Sequence, residues 1–277
     1  MAEQLLAELV AEVAGSAPLE WRSCAGGYTH ASKWLVRLAD GSEVFVKDGA
    51  EPLELLVHRS VEAAFLPRLL GTDGDALVLE GLGDALWPPP YPADPAPLFS
   101  ALDAVAATAA PTGVPPLRKP DPPLWTRVAE EREAFLRLGV CTPAWLTSAL
   151  APLAEAERRF DPAGGSQLHA DVCAGNVCFG ERGAVLVDWA CARRGNPWFD
   201  KAQAWISIRI EGGVPPALAF PDEAAVAALV TGDWAFSLVS ARPPSIDAAS
   251  ALDEAQLADL RHGLRWASEA LGIEPPN

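Results

Sequence analysis

Positive charge is scarce in this sequence. Its 277 residues carry 21 lysines and arginines against 37 aspartates and glutamates, a formal net charge of −16. Nucleic acid and anionic membrane both require clustered Lys and Arg, so neither is an expected partner, whereas a cationic small molecule is. Acidity of this kind also serves solubility. Long apolar runs are missing: none reaches eighteen residues, so no membrane-spanning helix is expected. The N-terminal stretch MAEQLLAELVAEVAG lacks the basic start of a signal peptide, has Glu at 3, 8 and 12, and reads as an amphipathic helix. The five cysteines are an odd number and form no C-x₂-C pair. That spacing argues against a disulfide framework and for reduced thiols in a cytoplasm. Cys173, Cys178 and Cys191, with His169, could in principle be four soft ligands, but zinc sites use closely spaced pairs, and small buried thiols are expected instead. There is no internal repeat and no G-x-G-x-x-G.

What is present begins with a hairpin. In WLVRLADGSEVFVK (34–47) two alternating runs flank Asp40-Gly41, a turn dipeptide. Val44 and Val46 face one way, and Phe45 and Lys47 the other. A helix follows, with Leu53, Leu56, Val57, Ser60, Val61 and Ala64 on one face at helical spacing. Glu54 lies beside that face, within reach of Lys47, and Glu51 is the competing partner. PRLLG (67–71) closes this unit, and ALVLEGL (76–82) reads as a short buried strand that breaks at Glu80-Gly81. Six prolines between 88 and 97 mark a stiff linker or surface excursion. With 277 residues two lobes are expected, and the boundary is placed just before that run, giving 1–80 and 81–277. The second part reads as mostly helical. It is interrupted by a proline-rich loop (111–123), and its last clear helix carries Leu257, Leu260, Leu264, Ala267 and Leu271 on one face.

The stretch HADVCAGNVCFGERGAVLVDWA (169–190) holds the chemistry. HADVCAGN has no periodicity and reads as a loop, whereas GAVLVDW reads as a turn and a buried strand with Asp188 at its end. A carboxylate directly after an apolar strand points into a cleft more often than into a core, because a core would have to desolvate it. Oxygen donors at 171, 176 and 188 suit a hard cation such as Mg²⁺. Phosphoryl transfer needs a carboxylate facing the attacking hydroxyl, an Asn and an Asp for the metal, and a strand lysine paired to a helix glutamate. Lys47, Glu54, Asp171, Asn176 and Asp188 supply these in order.

Residues 169–200 resemble the aminoglycoside phosphotransferase family, small-molecule kinases of protein-kinase-like fold. The shared pattern is His169-x-Asp171-x₄-Asn176, a strand ending in Asp188, and then Gly195-x-Pro197-x-x-Asp200. The resemblance implies an α+β bilobal fold, with a small N-terminal antiparallel-sheet lobe that binds nucleotide and a larger, mainly helical catalytic and substrate-binding lobe. It implies ATP, or else GTP, as phosphate donor with Mg²⁺, Asp171 as catalytic base, and Asn176 and Asp188 as metal ligands. His169 and Asp200 would be structural, Asp200 tying a helix start to the catalytic loop. Gly26, Gly27, Tyr28 and Thr29 would touch phosphate, and adenine would meet the backbone near Glu80 and Leu82. Two positions depart from the pattern. Ala170 stands where the family commonly has Gly, which would strain the loop if positive φ were required. Lys201 stands where Leu is frequent.

Residues 197–260 carry nine acidic side chains and three basic ones. That excess suits a hydroxylated amine, with Glu211 and Asp233 as its first candidate contacts. The expected activity is O-phosphorylation of a small cationic molecule such as an aminoglycoside antibiotic. Kinases of nucleoside or peptide antibiotics, choline or homoserine, or a nucleotide-binding protein without turnover, are the alternatives. The ten tryptophans, with no basic stripe around them, read as core and pocket walls.

Overall fold

A computed structural model describes residues 2–24, 31–240 and 249–276. Contacts divide the chain into two compact units. The first is Met1–Pro89, Ala96–Pro115 and Ser166–Arg194; the second is Pro90–Pro95, Pro116–Gly165 and Gly195–Asn277. The fold is mixed helix and sheet, as expected.

The first unit opens with helix α1 (Ala2–Ala14) and an antiparallel five-stranded sheet in the order β1-β2-β3-β5-β4. Its strands are β1 (Pro18–Ser23), β2 (Ser32–Leu38), β3 (Glu43–Asp48), β4 (Leu69–Asp73) and β5 (Ala76–Glu80). The hairpin turn between β2 and β3 forms where Asp40-Gly41 predicts it. Gly41 takes φ of +88°, and the Asp40 carboxylate accepts from both the amide and the hydroxyl of Ser42. The pleat then sorts β3 by face. Val44 and Val46 join Leu6 and Val10 of α1 in one apolar layer with Val36 and Val78. Phe45 packs into a second layer with Leu55, Leu77 and Leu79. Each side chain fully buried this way contributes roughly 1.5–3 kcal/mol. The N-terminal stretch is thus the helix that covers one face of the sheet.

Helix α2 (Pro52–Ser60) covers the other face and corrects the expected periodicity. Its buried residues are Glu54, Leu55, Val57 and His58. Leu53 and Leu56 are half-buried, Ser60 and Ala64 are exposed, and the helix ends before Val61. Counting apolar positions misplaced the face, because two polar side chains, Glu54 and His58, point inward. The first unit also holds α3 (Ala96–Ala107), the short strand β6 (Ser166–Leu168) and a hairpin of β7 (Val177–Gly180) with β8 (Gly183–Leu186).

The second unit is helical among its described residues: α4 (Leu124–Glu130), α5 (Arg132–Arg137), α6 (Pro143–Arg159), α7 (Trp198–Ile210), α8 (Glu223–Ser240) and α9 (Ala249–Leu271). Helix α8 packs against each of the others, and Ala225–Gly232 are buried in succession, as expected of a helix that is apolar all round. Gly263 of α9 allows a close crossing, since a Cβ there would lie 2.9 Å from the Thr231 hydroxyl. Leu260, Leu264 and Ala267 form the buried face of α9, as its spacing predicts. Helix α4 starts at Pro123, which offers no side-chain oxygen. Its first amides are met instead from α6: the buried Glu157 carboxylate accepts from Leu124 N at 2.7 Å and Trp125 N at 3.1 Å. Burial pushes this carboxyl up, and the two amides pull it back.

Candidate active site

The site is assembled inside the first unit, from β3, α2 and the two loops around β7–β8. Lys47 is 2% exposed at the end of β3, on the face that α2 covers. Its Nζ donates to Glu54 Oε2 at 2.6 Å and to Asp188 Oδ1 at 3.2 Å. Glu54 is the partner of Lys47; Glu51 stands exposed at the helix start. Burial works against the Lys47 charge, but the two carboxylates outweigh it and hold its pKa above the usual lysine value. Burial pushes the Glu54 carboxyl up, and Lys47 pulls it back. Asp188 leaves β8 through a left-handed turn, φ 62° and ψ 69°, a conformation that Asp tolerates better than most residues.

The loop after β6 supplies the second carboxylate. Asn176 Nδ2 donates to Asp171 Oδ2 at 2.9 Å and to the Asp171 carbonyl at 3.0 Å, which fixes the carboxylate's orientation. Burial holds the Asp171 carboxyl above the ordinary carboxylate range, against the opposing pull of His169 and Asn176. His169 is fully buried. Its Nδ1 accepts from Asp171 N at 3.3 Å, so Nε2 carries the proton and donates to Val187 O at 2.9 Å. Burial holds the imidazole below its usual pKa, and the ring stands edge-on to Trp189 at 4.6 Å. Since Val187 N also donates to Asn176 O, at 2.9 Å, His169 and Asn176 both brace the residue before Asp188. Both nitrogens of His169 are thus engaged within the protein.

Ala170 takes φ of +64°. The loop keeps the left-handed backbone that glycine adopts freely, with a methyl group in its place, at a strain of roughly 1 kcal/mol.

The other expected site residues lie as follows. Gly26, Gly27, Tyr28 and Thr29 are outside the described residues. Glu80 ends β5, but its carboxylate is taken up by Arg182 and the Arg68 amide, so it is a structural pin. Leu82 follows it, and its carbonyl accepts from Ala85 N at 3.1 Å. In the second unit, Asp200 is buried in the first turn of α7, Glu211 caps the same helix at its C-terminus, and Asp233 is exposed on α8. Cys173 and Cys191 are exposed and Cys178 is buried. Among the described residues, no three His, Cys, Asp or Glu side chains come together as a metal-binding group.

Sequence reasoning missed two groups. Asp259 on α9 is pushed up to about 6 by burial and by the charge of Glu211. Only the fold brings these two together; nothing in their spacing, 48 residues apart, announces it. His58 lies one turn beyond Glu54 on the buried face of α2. The i, i+4 spacing from Glu54 was a signal in plain view.

Residues 50–236, about two thirds of the chain, match the model of the phosphotransferase enzyme family. The chain belongs to that family. It is a small-molecule phosphotransferase. No curated protein matches it. Among solved structures, a choline/ethanolamine kinase family protein from Mesorhizobium loti is similar at 17% identity and a TM-score of 0.62, with 98% of each chain covered. A spectinomycin phosphotransferase, solved with ADP and spectinomycin, is similar at 12% identity and a TM-score of 0.58, covering 96% of this chain and 98% of its own. A macrolide 2′-phosphotransferase from Brachybacterium faecium is similar at 16% identity and a TM-score of 0.52, covering 93% and 98%. At these identities the likeness establishes the kinase-like fold of the phosphotransferase. No helix among the described residues is long and apolar enough to cross a membrane.

Proposed function

We propose that this phosphotransferase moves the γ-phosphoryl group of ATP onto a hydroxyl of a small cationic molecule, such as an aminoglycoside-type antibiotic. The observation that carries the reading is the buried Lys47 held between Glu54 and Asp188, in the same unit as the Asp171–Asn176 pair. Lys47, kept protonated and aimed by Glu54, steadies the nucleotide phosphates, exchanging its contact with Asp188 for them. Asp171 accepts the hydroxyl proton as the substrate oxygen bonds to the γ-phosphorus and the bond to the departing ADP oxygen breaks. Its raised pKa makes it a stronger base, and the Asn176 amide keeps the carboxylate turned. The donor set fits Mg²⁺. Asn176 spends its nitrogen on Asp171, which leaves the amide oxygen as ligand atom, and Asp188 adds a carboxylate. When bound there, Mg²⁺ would neutralise phosphate charge. Adenine lies along the backbone from Glu80 to Leu82, and Gly26–Thr29 meet phosphate. Residues 1–80 serve the nucleotide and 81–277 serve catalysis and substrate, a division of labour distinct from the division of contacts. The protein works in the cytoplasm, away from nucleic acid and membrane.

The cationic substrate is supported by charge. Glu211 stands at the C-terminus of α7, where the helix dipole is already negative, and Asp259 feels its field. A substrate ammonium near them would relieve both, with Asp233 as a further contact. The alternative within the class is another hydroxyl compound. The likeness to a choline/ethanolamine kinase family protein over 98% of both chains favours a small amino alcohol as the second reading.

ADP release against a panel of aminoglycosides, macrolides, nucleoside and peptide antibiotics, choline, ethanolamine and homoserine tests the proposal. The expected result is turnover with one cationic hydroxyl compound. Turnover confined to an uncharged acceptor overturns the substrate class, and ATP binding without ADP release from any acceptor favours a protein without turnover.

A further inference from the structure

His58 has no part in the phosphoryl transfer set out above, yet it is buried beside it. It is 3% exposed on α2, one turn after Glu54 and on the same inward face. Neither ring nitrogen has a hydrogen-bond partner. Leaving a buried polar group unpaired costs stability, so an apolar residue would serve better as filler. Leu55, Leu77 and Leu79 form the layer beneath α2, and the one-turn helix Trp189–Cys191 packed against α2 contributes no charged side chain. The charge that acts on the ring is Lys47, from β3; Glu54 stands one turn back on its own helix, and Asp188, which precedes the short helix, is bonded to Lys47. The Pro67 carbonyl favours a proton on the ring, but it is not in hydrogen-bonding geometry with either nitrogen.

We infer that His58 makes the Lys47–Glu54 pair proton-sensitive: a proton on the buried ring sets a second cation beside Lys47 and drives α2 off the sheet, taking Glu54 with it. Once α2 is displaced, the ring reaches water, or Glu54 at i, i+4. Burial, and then the Lys47 charge, push the imidazole down to about 4, against 6.5 when it is exposed. The sign follows from linkage. The docked helix holds His58 neutral, so docking is unopposed above pH ~6.5. It loses up to about tenfold in its docked-to-displaced ratio per pH unit below that, down to pH ~4. Asp171 and Glu54 also titrate in acid, so the claim concerns only the part that disappears with the imidazole.

The inference rests on the reading of Lys47 and Glu54 as nucleotide-holding residues only for its consequence, weaker ATP binding in acid. Its physical core is tested without nucleotide. Hydrogen exchange across Pro52–Ser60 would be compared at pH 7.5 and 5.5, corrected for the intrinsic rate, in the full chain and in His58→Leu and His58→Gln. The expected result is about tenfold greater opening of α2 at pH 5.5 in the parent, absent from both variants, with greater thermal stability for His58→Leu at pH 7.5. An acid opening that persists in His58→Gln assigns the effect to Glu54 and overturns the inference, as does a parent helix whose exchange does not change. ATP affinity measured alongside separates the two readings. If α2 opens as expected but ATP binds equally well at both pH values, the latch stands and the nucleotide role of the pair falls.

Discussion

The two units bury charge in different ways. In the first, Lys47, Glu54 and His58 lie at most 3% exposed within one patch, and the lysine is shared between two carboxylates. In the second, Glu157 is as deeply buried, but its partners are two backbone amides at the start of a helix. On the proposed function, the first arrangement puts opposite charges where a phosphate and its counter-ion would replace one of them. The second completes a helix end and leaves nothing to exchange. A buried charge whose partner is another charge, which a ligand could displace, is therefore the better mark of a site.

The largest expected effect breaks this comparison from the first side. Lys47→Met leaves Glu54 buried without its cation and should cost about 3–5 kcal/mol of stability, read from denaturant unfolding. The double variant Lys47→Met/Glu54→Leu should recover most of that loss while still failing to transfer phosphate. A double variant as unstable as the single one would mean that the pair was holding up the fold and not the site. On the other side, Glu157→Ala orphans the Leu124 and Trp125 amides and should cost about 1–3 kcal/mol, with the Michaelis constant for ATP unmoved. A changed Michaelis constant would erase the distinction between the two kinds of burial.

Asp259 sharpens the comparison, because its partner has the same sign. Its folded pKa of about 6 lies above the ordinary 3.8, so its protonated form is favoured by the fold. That contribution is complete below pH ~4 and is lost as pH rises through about 6. Asp259→Asn should therefore flatten the fall in stability between those values and gain about 1 kcal/mol at pH 7, allowing for solvent screening of a half-buried group. An unchanged pH profile would show that the two carboxylates do not sense each other. The smallest effect is at Ala170. Ala170→Gly relieves the left-handed strain but frees the unfolded chain, so a gain of only about half a kcal/mol is expected in thermal unfolding. A loss would mean that the methyl group packs.

Much of this was legible in the sequence, for physical reasons. The β2–β3 hairpin is written locally, in an alternating pattern and an Asp-Gly turn, and so is the amphipathic α1. The D-x₄-N spacing and the Asp at a strand end are constraints of one short loop and one strand, and the fold keeps them together. The α2 face was misread, because apolar counting gives no place to His58, a polar side chain that turns inward one turn beyond Glu54. Glu157 and Asp259 were beyond reach. Their partners come from other helices, and no local period encodes a helix crossing. Gly26–Thr29 fall outside the described residues, so the phosphate-loop expectation stands as a proposal.

The most direct test of the account is transfer of labelled γ-phosphate from ATP to an accepting hydroxyl, in the parent and in Asp171→Asn, with ATP affinity measured in both. The account predicts that Asp171→Asn binds ATP as the parent does, is no less stable, and transfers phosphate about 10²–10⁴-fold more slowly. In the parent, transfer should fall as pH drops through an Asp171 pKa above the usual carboxylate range. Near-parental transfer by Asp171→Asn would contradict the account at its centre.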